Sequence, residues 1–256
     1  MIHPTAVIDP AAELDEGVEI GPYAVIGPRV RVGRGTIIGP HVVLRGPTEI
    51  GLDNRIFQFA SVGEDPQDKK YHGEDTRLTI GDRNVIRECA TLHRGTAQDA
   101  RETRVGNDNL FMAYTHVAHD CRIGDNVIMA NAASLAGHVE VQDWAILGGF
   151  ALIHQFCRIG AHSFCAMGSV VTKDVPPFVI VGGHPAEPRG INVEGLRRRS
   201  FRNATIQHLK NAYRTLYMSN QKLDDAVKVL RELGASCPEV GLMADFVAGA
   251  ARSITR

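Results

Sequence analysis

Every sixth residue from Val105 to Val171 is apolar: Val105, Phe111, Val117, Ile123, Met129, Leu135, Val141, Leu147, Ile153, Ile159, Cys165 and Val171. The residue two places before each is small or of modest size, from Asn109, Thr115, Cys121 and Val127 through Ala133, Val139, Ala145 and Ala151 to Cys157, Ser163 and Ser169. No α-helix repeats at six residues. A hexapeptide period instead predicts a parallel β-helix, in which each short strand stacks on its equivalent in the next coil and no unit buries its apolar side alone. Positions two apart on a strand share a face, so both residues of each pair point inward and their neighbours outward.

The same register opens the chain at Ile8, Leu14, Ile20, Ile26, Val32, Ile38, Leu44, Ile50, Ile56 and Val62. Glycine follows the apolar position at Gly21, Gly27, Gly33, Gly39, Gly51 and Gly63, where a strand turning a corner is expected to use its conformational freedom. Residues 64–77, EDPQDKKYHGEDTR, carry charge and no core position, so they should leave the coil as a loop. Hexads return at Ile80, Ile86 and Leu92. A second interruption, HRGTAQDARETR at 93–104, ends with a one-residue slip at Val105 that marks an insertion.

After Lys173 the proline- and glycine-rich VPPFVIVGGHPAEPRG ends the repeat, which places one domain at 1–185 and a second at 190–256. Three helices are expected in the second. They carry Ile206, Leu209, Tyr213, Leu216 and Tyr217; then Ala226, Val227, Leu230 and Leu233; then, opened by Pro238, Leu242, Met243, Phe246 and Val247. This small helical domain should cap one end of the prism.

Among the outward positions stand His116, His119, His138 and His154, with Asp120, Gly137 and Gln155. Period alone does not give the number of sides of a coil; in known hexapeptide proteins three hexads close one triangular turn. Equivalent positions then recur every eighteen residues. His119, Gly137 and Gln155 form one ladder with steps of about 4.8 Å, and Asp120 and His138 form its neighbour.

Composition narrows the function. A chain of 256 residues with 44% hydrophobic and 22% charged positions has ample material for a core. Its formal net charge of -1 argues against a general nucleic-acid binder. MIHPTAVIDP has no signal-peptide pattern, and the apolar stretch from Trp144 to Ile153 is far short of the ~20 residues of a spanning helix. A cytoplasmic protein is expected. Five cysteines without a CxxC pair make neither a disulfide framework nor a zinc motif, and Cys121 and Cys157, two coils apart, are too distant to bridge.

The run YTHVAHDCRIGDNVIMANAASLAGHVEVQDWAILGGFALIHQFCRIG, with the later GINVEGLRRRSF, resembles the UDP-N-acetylglucosamine 3-O-acyltransferases of lipid A biosynthesis. The likeness covers essentially the whole chain, both loops and the tail included. It implies a cytosolic homotrimer of left-handed parallel β-helices, each with a C-terminal α-helical domain. It implies transfer of an (R)-3-hydroxyacyl chain from acyl carrier protein to the sugar 3-hydroxyl of UDP-N-acetylglucosamine, the first step of lipid A synthesis, with no cofactor and no metal.

Carried over residue by residue, the resemblance makes His119 of AHDC the general base. Imidazole, with an ordinary pKa of about 6.5, offers its neutral form near pH 7. Asp120 would orient this histidine, and the Gly137 backbone N–H would hold the oxyanion, a role its stacking beside His119 suits. His116, His138, His154 and Gln155 match substrate-contacting or supporting positions. Asp68 and Lys70 match residues that grip the sugar nucleotide. Asn192, Glu194, Arg198 and Arg199 match a tail motif for nucleotide and carrier binding, although Arg197 to Arg199 also read as a solvated helix face.

Met167, laddered with Asn131 and Gly149, matches the position where the family measures the end of the acyl chain. Methionine there implies a donor shorter than glycine would admit, or a mere gap-filler. Two other readings remain at this level. One is a related acyltransferase acting on a 3-amino sugar nucleotide, which the same base would serve. The other is a zinc-dependent hexapeptide carbonic anhydrase using His116, His119 and His138.

Overall fold

A computed structural model describes residues 1–251 and 253–256 of the chain. Three parallel sheets wind the hexads into a triangular prism. The first holds nine strands from Val7–Ile8 to Val170–Val171, and the second eight from Glu13–Leu14 to Arg158–Ile159. The third runs from Glu19–Ile20 through Val179–Gly182 and closes with the antiparallel strand Glu187–Ile191. Within the regular part each strand pairs with the one eighteen residues on, as Leu110 with Ile128 and Ile128 with Ile146.

The interior is the hexad register itself. All twelve apolar positions from Val105 to Val171 are buried, and so are the small residues two before them. A buried Val, Leu or Ile contributes roughly 1.5–3 kcal/mol. Stacking therefore offsets the cost of the corners, where Asp108, Tyr114, Asp120, Asn126, Ala132, His138, Trp144, Phe150, Phe156 and His162 all take φ between 57° and 64°. A left-handed residue with a Cβ costs about 1–2 kcal/mol.

This corrects the reading of the glycines. Of the six that follow an apolar position in the first half, Gly63 alone has a positive φ, 83°. Gly21, Gly33 and Gly51 are required by close approach between coils, while a Cβ on Gly27 or Gly39 would meet the next coil at 3.2 and 3.0 Å, a tight fit. A Cβ on Gly33 would sit 2.6 Å from the Gly51 carbonyl oxygen, and one on Gly51 would meet the Asp82 carboxylate.

The two polar interruptions leave the prism at the same edge. Val62 pairs with Leu92, thirty residues on instead of eighteen, so twelve extra residues form the first loop between a strand of the first sheet and one of the second. Pro66 and Thr76 within it are buried, where the sequence predicts no core position. Leu92 pairs with Val117, twenty-five on, so seven extra residues form the second loop at that edge.

The tail has four helices, α1 (Val193–Arg198), α2 (Asn203–Met218), α3 (Leu223–Gly234) and α4 (Pro238–Ala248). The unforeseen α1 starts where the Asn192 side chain accepts the Gly195 N–H, an N-cap. Predicted core positions of α2, α3 and α4 are buried except Tyr217, which packs partly buried against the core, and Leu233 and Leu242, which face outward. Helix α2 lies on the strand Glu187–Ile191, the Arg158 guanidinium covers the Phe246 ring at 4.3 Å, and Thr255 donates its N–H to the Asp174 carbonyl. These contacts tie the helices to the C-terminal end of the prism.

Candidate active site

The edge that carries both loops also carries His119. The chain passes from the first-sheet strand His116–Val117 to the second-sheet strand Arg122–Ile123 through His119 and the left-handed Asp120. One coil on, Gly137 and His138 turn the same corner, and His138 donates its N–H to the His119 carbonyl. One coil further, the Phe156 N–H bonds the Gly137 carbonyl, which sets Gln155 and Phe156 at the next step. The two expected ladders are present.

Asp120 departs from expectation. Counted among outward positions, it is 3% exposed, because the second loop folds over it. Thr96 donates its backbone N–H to Oδ1 and its hydroxyl to Oδ2, and the Thr103 hydroxyl accepts the Asp120 N–H. His119 Nδ1 lies 2.8 Å from Oδ2. Burial by itself would raise the Asp120 carboxyl, but the bonds from His119 and Thr96 outweigh it and hold it below the ordinary carboxylate range. A carboxylate only accepts, so Nδ1 carries the proton of this bond and Nε2 is left as the basic nitrogen.

Gly137 lies flat against that imidazole. A Cβ built on it would stand 2.5 Å from His119 Cε1 and 2.7 Å from Nε2, so only glycine lets its backbone come this close to the basic nitrogen. Among the described residues the Gly137 N–H reaches no protein acceptor.

The other histidines are fixed around this pair. His138 stands edge-on to His119 at 5.1 Å, stacks on Phe156 at 4.3 Å and bonds Asp99 of the second loop at 2.9 Å. His116 bonds the Thr91 hydroxyl at 2.7 Å; burial, then the neighbouring His119, lowers its pKa. His93 packs edge-on to His116, with its pKa lowered to about 4, chiefly by burial. His154 bonds the Gln155 carbonyl. The donor atoms of His119, Asp120 and His138 lie within 4.8 Å of one another, close enough to share a cation. In the free protein, however, both Asp120 oxygens already accept from Thr96, and Oδ2 from His119 too.

Asp68 and Lys70 sit in the first loop at this edge, Asp68 half-buried and Lys70 exposed. The remaining expected residues lie at other edges. Arg199 stacks over Trp144 at 4.9 Å and bonds His162, at the corner between the second and third sheets. Asn192 is used as the cap of α1 and as a donor to the His162 carbonyl, while Glu194 pairs with Arg197 and Arg198 is exposed. Met167, 78% exposed, projects at the corner between the third and first sheets. One chain thus assembles His116, His119, Asp120, Gly137, His138, His154 and Gln155, with the loop residues, and leaves Asn192, Glu194, Arg198, Arg199 and Met167 apart. Sequence reasoning missed Arg94, Thr96 and Asp99. Their signal was HRGTAQD, standing where the coil breaks beside the histidine edge.

A family model described as Udp N-acetylglucosamine O-acyltransferase, domain 2, matches residues 174–255, and the bacterial transferase hexapeptide model matches 11–46 and 102–137. The acyl-[acyl-carrier-protein]--UDP-N-acetylglucosamine O-acyltransferase of Alkalilimnicola ehrlichii is 59% identical over 255 residues, covering 100% of this chain and 99% of the relative. The chain belongs to the UDP-N-acetylglucosamine O-acyltransferase family. The similarly named protein of Stutzerimonas stutzeri is 55% identical over 256 residues, with 100% and 99% covered. Among solved structures, LpxA from Acinetobacter baumannii superposes with a TM-score of 0.97 at 48% identity, covering 100% of this chain and 99% of that one. UDP-N-acetylglucosamine acyltransferase from Francisella novicida superposes at 0.98 with 40% identity, covering 100% and 94%. As a member of this acyltransferase family, the chain forms a left-handed parallel β-helix, an exception to the usual right-handed crossover. Among the described residues no helix is long and apolar enough to cross a membrane.

Proposed function

We propose that the chain transfers a 3-hydroxyacyl group from acyl carrier protein to the 3-hydroxyl of UDP-N-acetylglucosamine, opening lipid A synthesis, with His119 as general base. The observation that carries this is the His119–Asp120 bond of 2.8 Å facing the bare backbone of Gly137, in a chain that is similar over its full length to named acyltransferases. Asp120 holds the imidazole with Nε2 toward the acceptor. That nitrogen takes the proton of the sugar hydroxyl as its oxygen attacks the thioester carbonyl. The oxyanion so formed accepts the Gly137 N–H. Collapse breaks the carbon–sulfur bond, and the proton held on His119 passes to the departing thiolate. The steps leave an ester, a free carrier thiol and a neutral imidazole, without a covalent enzyme intermediate.

Asp68 and Lys70 hold the sugar nucleotide in this reading, with His116, His138, His154 and Gln155 around the reacting groups. Arg198 and Arg199, with Asn192 and Glu194, serve the nucleotide and carrier from a neighbouring chain, since in one chain they stand at a different corner from His119. A homotrimer satisfies this and covers the exposed rings of Tyr114, Phe150 and Phe156. Five free cysteines fit a reducing cytoplasm. The test is an assay of the pure protein with 3-hydroxy and 3-amino acceptors and a panel of acyl carrier protein thioesters. Ester formation on the 3-hydroxyl acceptor is expected; transfer to the 3-amine alone contradicts the reading.

A further inference from the structure

The first loop lies outside every ladder, so something other than strand stacking must hold Asp68 and Lys70 in place. Its ends are anchored by the buried Pro66 and Thr76. Within the loop, the Tyr71 N–H bonds the Asp68 carbonyl, the Lys70 N–H bonds the Asp68 carboxylate, and the Tyr71 hydroxyl donates to the Glu74 carbonyl. These bonds shape the loop without tying it to the coil. Among the described residues, the hydrogen bonds that reach residues 65–74 from beyond Glu64 come from one side chain, Arg94, while at the far end of the loop the exposed Arg29 holds Asp75 at 2.8 Å.

Arg94 is built for two surfaces at once. Its side chain is 8% exposed. Nη1 donates to the carbonyls of Gly46 at 3.1 Å and Gly63 at 2.6 Å, both in stacked coils. Nη2 donates to the Asp65 carboxylate and, at 3.1 Å, to the Tyr71 hydroxyl, both in the loop. The Gly63 carbonyl is aimed by a positive φ and a register shift between Val62 and Glu64, where a Cβ would collide with the Arg45 carbonyl and Thr48 hydroxyl. A planar fork with fixed donors suits such a junction; a lysine ammonium cannot span both sides.

We propose that Arg94 is the positioning residue for the sugar-nucleotide loop, holding Tyr71, and through it Asp68 and Lys70, at a fixed height above the histidine edge. This rests on the reading that Asp68 and Lys70 grip the sugar nucleotide. Arg94 bonds none of Asp68, Lys70, His119 and Asp120, so its loss should weaken capture of the nucleotide and spare the chemical step.

The test is steady-state kinetics of the full-length protein as Tyr71→Phe and Arg94→Lys, with Asp68→Ala alongside and tryptic cleavage after Lys69 and Lys70 as a second readout. Tyr71→Phe removes the hydroxyl that accepts from Arg94 and donates to the Glu74 carbonyl, and leaves the buried guanidinium with three partners, so it keeps the test open if Arg94→Lys folds poorly. Arg94→Lys, which leaves the Glu74 bond in place, separates the two contacts. Both variants should raise KM for UDP-N-acetylglucosamine by at least about 3- to 10-fold, the reach of a single hydrogen bond where each removes more than one, with kcat kept and loop cleavage faster. A raised KM in Asp68→Ala with none in the other two overturns the positioning role and leaves the nucleotide reading intact. Faster cleavage with an unchanged KM in all three overturns the nucleotide reading and reduces Arg94 to a structural clamp. A lower kcat at unchanged KM also contradicts the proposal.

Discussion

Thr96 holds Asp120 at both carboxylate oxygens, its N–H 2.9 Å from Oδ1 and its hydroxyl 2.7 Å from Oδ2. The hydroxyl shares Oδ2 with His119, so the two donors together set the plane in which the carboxylate meets the imidazole. Thr96→Val keeps the shape and the backbone N–H but deletes the hydroxyl. We expect kcat to fall about 10-fold with KM nearly unchanged, the cost of one charge-assisted bond, and Thr96→Ser to restore it. Equal kcat in the valine and wild-type enzymes would remove Thr96 from the account.

Gly137→Ala places a methyl where His119 now lies, 2.5 Å from Cε1. The imidazole must move by about an ångström, a displacement that costs on the order of 100-fold in turnover. The coil should stay folded, because Gly137 is not among the glycines with positive φ. Circular dichroism and kcat measured on one preparation check both halves.

Stability should depend on acid through three histidines, His93 and His162 most strongly and His116 in the same direction. Burial, the neighbouring His116, His119 and Arg94 lower His93 to about 4, although Glu64 opposes them; burial and then Arg199 lower His162 to about 4. The unfolded chain binds these protons near pH 6.5 and the folded chain does not, so stability is full above that value and is lost as pH falls toward 4. Asp120, with a lowered pKa, contributes above the unfolded value near 4 and is lost only below it. Melting temperature should therefore drop between pH 6.5 and 4, and less steeply in His162→Phe. A flat profile across that window would show that none of the three histidines is buried as described.

How much of this was legible beforehand follows from the physics of repetition. Hexads state their period directly, so the inward positions from Val105 to Val171 needed only counting, whereas the pairing of His119 with Gly137 needed in addition the three-sided coil of known hexapeptide proteins. What no period carries is where an insertion folds back. The second loop read as an interruption, and its Thr96 and Asp99, which bury Asp120 and hold His138, are long-range contacts without a local pattern. The corners misled for a different reason: glycine freedom was inferred from φ, whereas the stack selects glycine at Gly33 and Gly51 for want of room. Residues of the tail motif, Arg199 above all, lie far from His119 in one chain, so a role beside it depends on assembly.

We propose that Met167 limits donor length. It stands one coil beyond the open Gly149, whose nearest neighbour to an added Cβ is the Asn131 carbonyl oxygen at 3.4 Å. One coil is about 4.8 Å, room for roughly four extended methylenes, so we expect a donor of about ten carbons to be preferred over one of about fourteen. Met167→Gly should shift the preference toward longer donors. An unchanged donor profile would leave methionine as a gap-filler.

His119, oriented by Asp120, is proposed to remove the proton of the attacking hydroxyl. Turnover of His119→Ala at saturating sugar nucleotide and acyl carrier protein tests it most directly, with melting temperature and particle size measured on the same sample. A fall in kcat of at least about 100-fold is expected in a protein of unchanged size and melting. Near-normal turnover by that variant would contradict it.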